Sequence, residues 1–160
     1  MPRGIRIITQ NSYYHVVNRG NHKEKIFLNE SDYGKYLQIL KRYKRKYCIK
    51  LLGYCLMPNH VHMVLGLERT SELPKFMQCL TQSYAQYFNH KYKSVGHLWQ
   101  GRFKSMNIET NTYFLDCIYY VEANPVRSGL TTSPADYLWS SYKMRMQGNI
   151  GEFLDFPDST

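Results

Sequence analysis

A chain of 160 residues and 19.0 kDa can bury a core without staples, and its cysteines, Cys48, Cys55, Cys79 and Cys117, form no C-x-x-C pair, which argues against a zinc knuckle or disulfide framework. No apolar run approaches the roughly 18 residues of a membrane span and MPRGIRIITQ lacks the apolar stretch of a secretory signal, so a cytoplasmic protein without a membrane partner is expected, its thiols buried or half-buried. Net charge is +9 and uneven: residues 1–110 hold 18 Lys/Arg against 6 Asp/Glu, residues 111–160 hold 3 against 6, a field that favours a polyanionic partner.

In chain order, Ser12 to Arg19 reads as a strand. A helix follows from about Ser31 to Tyr47, with Ser31 as candidate N-cap, Asp32 in the first turn and the run KRYKRKYCIK (41–50) at its C-terminal end, as the helix dipole favours. Lys41, Arg42, Lys44, Arg45 and Lys46 are candidate phosphate contacts there, and equally a solvated face. Leu51 to Leu67 reads as a hairpin turning at Pro58-Asn59. A second helix runs from about Ser71 to Tyr92, and Phe103 to Glu109 forms a further strand. The order βαββαβ predicts an α+β fold: a ferredoxin-like or RRM-like antiparallel sheet with helices on one face. Residues 1–160 are expected to form one domain, with a core of about 12–130 and a C-terminal extension over 131–160.

The hairpin carries the most informative spacing. In NHVHMVLGL, His60 and His62 are one residue apart, so on a strand both imidazoles project to one side with Cα atoms about 6.8 Å apart. Val61, Met63, Leu65 and Leu67 take the other, core-facing side. The pair suits a shared metal ion, and equally two solvated polar residues.

Residues 111–130, NTYFLDCIYYVEANPVRSGL, read as a third helix with an apolar stripe of Phe114, Cys117, Ile118 and Val121, ended by Pro125. Tyr113, Asp116, Tyr120 and Asn124 fall along one flank of that stripe, whereas Tyr119 points away. A phenol and an amide one turn apart fit a nucleophile and a third metal ligand; they fit as well a core-edge tyrosine with a C-capping asparagine. In HKYKSVGHLWQGRFK (90–104), aromatics alternate with cations as single-stranded nucleic acid binding requires, although Trp99 and Phe103 are also ordinary core residues.

Taken together, YHVVNRGNHKEKIF, GYCLMPNHVHMVL, LWQGRFKS and YYVEANPVRSGL resemble, in order and over about residues 12–130, the REP-associated tyrosine transposases and more widely the small single-tyrosine HUH transposases of bacterial insertion sequences. DYLWSSY (136–142) is similar to the REP-associated branch as well. The resemblance implies that His60 and His62 are the HUH metal pair, that Tyr120 on a C-terminal catalytic helix is the nucleophile, and that Asn124 matches the position of a metal-binding Gln or Asn. The chain departs from the family in having Tyr119, not a basic residue, before the tyrosine.

Mg²⁺ or Mn²⁺ is the implied cofactor and single-stranded or hairpin DNA the implied partner, with a homodimer as one assembly. Tyrosine is a weak nucleophile in neutral water, so the phosphate must be polarised; attack would leave a 5′-phosphotyrosine and a free 3′-hydroxyl. Histidine ligation predicts metal binding that fails below about pH 6. By the same resemblance Arg19 and Arg102 are candidate DNA contacts, joined by Lys104 and Trp99 from the basic-aromatic segment. A non-catalytic single-strand binding module and an HUH nickase serving a host role remain open alternatives. The acidic end GEFLDFPDST reads as a disordered terminus or a tail over the site.

Overall fold

Three apolar strands, two of them joined by a two-residue hairpin turn, dictate the centre of the molecule. A computed structural model describes residues 12–109, 111–151 and 153–157. Strand β1 (Ser12–Arg19) pairs antiparallel with β3 (His60–Leu67) and with β4 (Lys104–Ile108), and β3 pairs with β2 (Ile49–Met57), giving the order β2-β3-β1-β4. The hairpin turns at Pro58-Asn59 as the sequence predicts.

Helices α1 (Glu30–Lys46) and α2 (Glu72–Tyr92) cover one face of this sheet. Their Tyr36, Leu40, Phe76, Leu80 and Tyr84 pack on Tyr14, Val16, Val61, Met63 and Leu65. Helix α3 (Asn111–Glu122) lies on the opposite face, where Phe114, Ile118 and Val121 meet Leu52, Cys55, Met57 and Val64. The two expected packing helices therefore share a face and the C-terminal one takes the other. Double coverage explains why β3 is buried at both parities after His60 instead of alternating.

Several sequence expectations are corrected. Asn29, not Ser31, caps α1: its side chain accepts from the Asp32 amide, and the Asp32 carboxylate accepts from the Asn29 amide. Asp32 is fully buried and also accepts from Lys91 Nζ (2.8 Å), Tyr87 and Tyr92. Burial pushes its pKa up, but these donors win and hold it at about 2. Of the cysteines, Cys55 is buried and Cys79 and Cys117 are half-buried, but Cys48 is exposed, in the left-handed turn (φ 53°) between α1 and β2.

The C-terminal extension belongs to the same body. Leu56 N–H donates to the Trp139 carbonyl, the Tyr137 hydroxyl to the Leu56 carbonyl, and Ser141 bonds the Tyr54 backbone, so DYLWSSY is a strap along β2. Buried Glu122, at the end of α3, pairs with Arg145 (3.2 Å) of helix α5 (Tyr142–Met146). Leu154 is fully buried and Asp155 accepts from Lys44 and from the Leu51 amide, so the described part of the acidic end is docked on α1 and β2. It neither dangles nor covers the histidines.

Candidate active site

Register on β1 and β3 assembles the site. Arg19 stands opposite His60 and Val17 opposite His62, and alternation puts His15, Val17 and Arg19 on the histidines' face, the one α3 covers. The His60 and His62 rings are 4.9 Å apart between centroids; His60 is half-buried and His62 is 5% exposed. Each has its Nδ1 engaged by the protein: His60 Nδ1 lies 2.7 Å from Asn59 Oδ1, and His62 Nδ1 lies 2.9 Å from His15 Nε2. Both Nε2 atoms are thereby left for a ligand, the arrangement in which an outer partner fixes the tautomer of a ligating imidazole.

Burial lowers His60 to about 4, with Arg19 adding to the effect, and lowers His62 to about 3, with His60, His15, Arg19 and Arg127 adding. His15 is lowered by burial as well. Imidazoles crowded among cations and out of water stay neutral, and neutral imidazole is the form that ligates.

The stripe of α3 fixes Tyr120. Ile118 and Val121 are buried against β2 and β3, which leaves Tyr120 on the flank, 51% exposed, its ring centroid 6.1 Å from that of His15 and 6.3 Å from that of His62. Arg127 folds back over it: the guanidinium stands 3.8 Å from the ring centroid, and Nη2 donates to the Tyr120 carbonyl at 2.7 Å. Tyr119, 58% exposed, has no such contact with the histidine rings. His15, Met106, Tyr113, Asp116 and Tyr120 line an open cleft of about 610 Å³ between α3 and β4.

Helix α3 stops at Glu122, and Pro125 does not terminate it; proline sits near the start of a one-turn helix, α4 (Asn124–Arg127), where its missing N–H is harmless. Asn124 is 9% exposed. Its Nδ2 donates to the Val121 carbonyl (3.2 Å), which orients the amide, and it makes no hydrogen bond to either histidine. Among the described residues no group of three or more His, Cys, Asp and Glu side chains is placed to hold a metal.

The profile of the IS200-like transposases matches residues 8–124, nearly three-quarters of the chain. The chain belongs to that family. A structure of a REP-associated tyrosine transposase bound to a REP hairpin matches with TM-score 0.73 and 18% identity, covering 100% of this chain and 94% of that one. A putative transposase from Deinococcus radiodurans R1 matches with TM-score 0.53 and 20% identity over 75% of this chain and 95% of the other. The tRNA(His) guanylyltransferase of Saccharomyces cerevisiae shares the fold, with TM-score 0.56 and 13% identity over 80% and 64%. No curated protein matches in sequence. The chain is thus an IS200-like transposase, an enzyme on an α+β antiparallel-sheet fold shared with those structures. No helix among its described residues is long and apolar enough to cross a membrane.

The remaining candidates of this transposase divide into two groups. Arg19 is in the site, and Lys104, paired with Val17, shares its face, with Arg102 exposed just before it. Trp99 is half-buried, its Nε1 bound to the Thr81 carbonyl. The α1 run lies elsewhere: Lys41, Arg42, Arg45 and Lys46 are exposed, but α1 is on the other face, and its C-terminus leads into Ile49, which pairs with Leu67. That is about 23 Å along β3 from His60. Lys44 is a correction, since it is buried at 2.7 Å from Asp155 and faces no solvent.

Three contributors escape sequence reading. Asn59 passes as a turn residue, and His15 becomes visible only once β1 is aligned with β3. Arg127 alone left a trace, as a cation seven residues after Tyr120.

Proposed function

We propose that this transposase cleaves and rejoins single-stranded DNA near hairpins, using Tyr120 as nucleophile and a divalent cation held by His60 and His62 with the Asn124 amide. The observation that carries it is the Tyr120 ring beside the His15–His62 pair with Arg127 stacked upon it. The donors suit the cation: two neutral imidazoles with Nε2 free and an amide whose oxygen is not the atom spent on Val121. Mg²⁺ or Mn²⁺ held there would supply Lewis-acid polarisation of the scissile phosphate, and the imidazoles would favour Mn²⁺.

The protein's own groups do the rest. Arg127 and Arg19 flank the reacting centre as fixed positive charges, and the exposed phenol hydroxyl reaches the strand from the open cleft. The Tyr120 phenol gives up its proton to solvent as its oxygen bonds to phosphorus, the P–O3′ bond breaks, and the 3′ oxygen takes up a proton, so none is gained or lost overall. What remains is a 5′-phosphotyrosine and a 3′-hydroxyl, and the reverse attack rejoins strands without a nucleotide cofactor. Histidines and tyrosine come from one chain, which supports a site complete in a monomer; a homodimer is not needed to supply either.

Incubating end-labelled hairpin DNA with Mn²⁺ and the native chain, Tyr120→Phe or Tyr119→Phe tests this reading on denaturing gels. A protein-linked band lost only with Tyr120→Phe is expected. Binding to a broad hairpin panel without an adduct from any variant favours a non-catalytic binding module instead.

A further inference from the structure

The sheet edge beside the histidines opens into a second cavity. β4 begins at Lys104, paired with Val17, so Asn18 and Arg19 run on beyond it and are bordered by residues 100–103. The Gln100 amide on the Arg19 carbonyl (2.9 Å) holds that segment in place. Alternation sends Arg19 towards His60 and Asn18 through to the α2 side. There Asn18 is 3% exposed, and its Nδ2 has no hydrogen-bond partner. Folded proteins rarely leave a buried donor unpaired, so such a group asks for an external acceptor.

Asn18 and Arg102 together wall two adjoining openings. One, about 110 Å³, is bordered by Arg19 and Lys104 and lies against the histidine face. The other, about 380 Å³, sits between α2 and residues 101–103, with Met77 and Phe103 as apolar surface and the exposed amides Gln78 and Gln82 beside them. The size and the mixture of apolar walls with few polar groups suit a flat organic ring. A phosphate would be stripped of water against Met77 and Phe103, whereas a base stacks there and offers its edge to amides that both donate and accept.

We propose that this cavity receives a nucleobase turned out of the DNA strand that runs into the active site, its edge read by Asn18, Gln78 and Gln82. Arg102, shared by the two openings, contacts the adjoining phosphate, and Arg19 carries the strand on towards His60. The proposal rests on the reading that this transposase grips a single strand, but not on Tyr120 or a metal.

Fluorescence anisotropy in EDTA separates the two. The probes are labelled stem-loop DNAs with short single-stranded flanks of adenine, thymine, cytosine or guanine, or the same flank made abasic. The native chain should bind at least one base-bearing flank about tenfold tighter than the abasic one. Asn18→Leu and the surface double variant Gln78→Ala/Gln82→Ala should lose that difference while binding the abasic probe as the native chain does. Asn18→Leu should also melt higher, because it removes the unpaired amide, a gain opposite in sign to its loss in binding. If the native chain ignores the bases, or if both variants keep the preference, the pocket is not a base site. Failure to bind any stem-loop overturns the single-strand reading itself.

Discussion

The two faces of the sheet are built to different ends. Over β3 the α1/α2 face is closed: large side chains fill it, the opening beside Asn18 lying out at the β1 edge, and buried Asp32 ties the start of α1 to the end of α2 through Lys91, Tyr87 and Tyr92. The α3 face has a smaller apolar cluster, beside which His15, His60 and His62 stand next to an open cleft and a half-exposed Tyr120. The first face is mostly apolar packing; the second sets three histidines and a half-exposed phenol beside an open cleft. Shared strands link the two, since Val61 and Met63 lock β3 into the closed core and thereby fix His60 and His62.

The largest effect expected on this contrast comes from the site. His62→Ala should lower strand cleavage roughly 10³-fold, as loss of several kcal/mol of charge stabilisation implies. Thermal melting of the same protein should hardly move, and a matching collapse in melting would mean that the open face is structural. Phe76→Ala on the closed face should do the reverse. Denaturant titration should show a loss of about 3–5 kcal/mol, while the fraction still folded cleaves normally. Ile118→Ala, beneath α3, should cost about 2–5 kcal/mol and also slow cleavage, because it loosens the helix that carries Tyr120.

His15 sharpens the comparison further. His15→Ala should weaken Mn²⁺ binding about 10- to 100-fold by calorimetry, the usual range for an outer partner of a metal ligand. His15→Gln, whose amide oxygen can accept the His62 Nδ1 proton, should recover much of it. Equal affinities for native and His15→Ala chains would deny it any orienting role.

The smallest effect is one of pH. In the unfolded chain His60 and His62 titrate near 6.5, in the folded chain at about 4 and about 3, so below 6.5 the unfolded state binds more protons. Metal-free protein should therefore be steadily stable above pH 6.5 and lose stability as pH falls from there to about 3, read from melting points across a buffer series. Ligation follows the folded values: Mn²⁺ should still bind at pH 5 and be lost towards pH 4, lower than ordinary histidine would suggest. Loss already at pH 6 would contradict burial of the pair.

Much of this was legible in the chain because it depends on short-range pattern. The period of two around His60, the turn at Pro58-Asn59 and the stripe of Phe114, Ile118 and Val121 each fix an element and the side it shows. What stayed hidden depends on pairing between distant segments. His15 looks like any strand histidine until register sets Val17 against His62, and the partner of Lys44 is 111 residues away. Charge density misled for the same reason: KRYKRKYCIK shows that α1 ends in cations, but not that α1 lies on the far face. The end of α3 was missed because proline both stops helices and starts them.

Peptide mass spectrometry of the covalent complex tests the central claim most directly. DNA with a label 3′ of the cut, incubated with the native chain and Mn²⁺ and then digested with protease and nuclease, should leave a nucleotide joined through its 5′ phosphate to Tyr120. Attachment at Tyr119, a 3′-linked nucleotide, or free cleavage products with no adduct would contradict the arrangement of phenol, histidines and Arg127 described for this site.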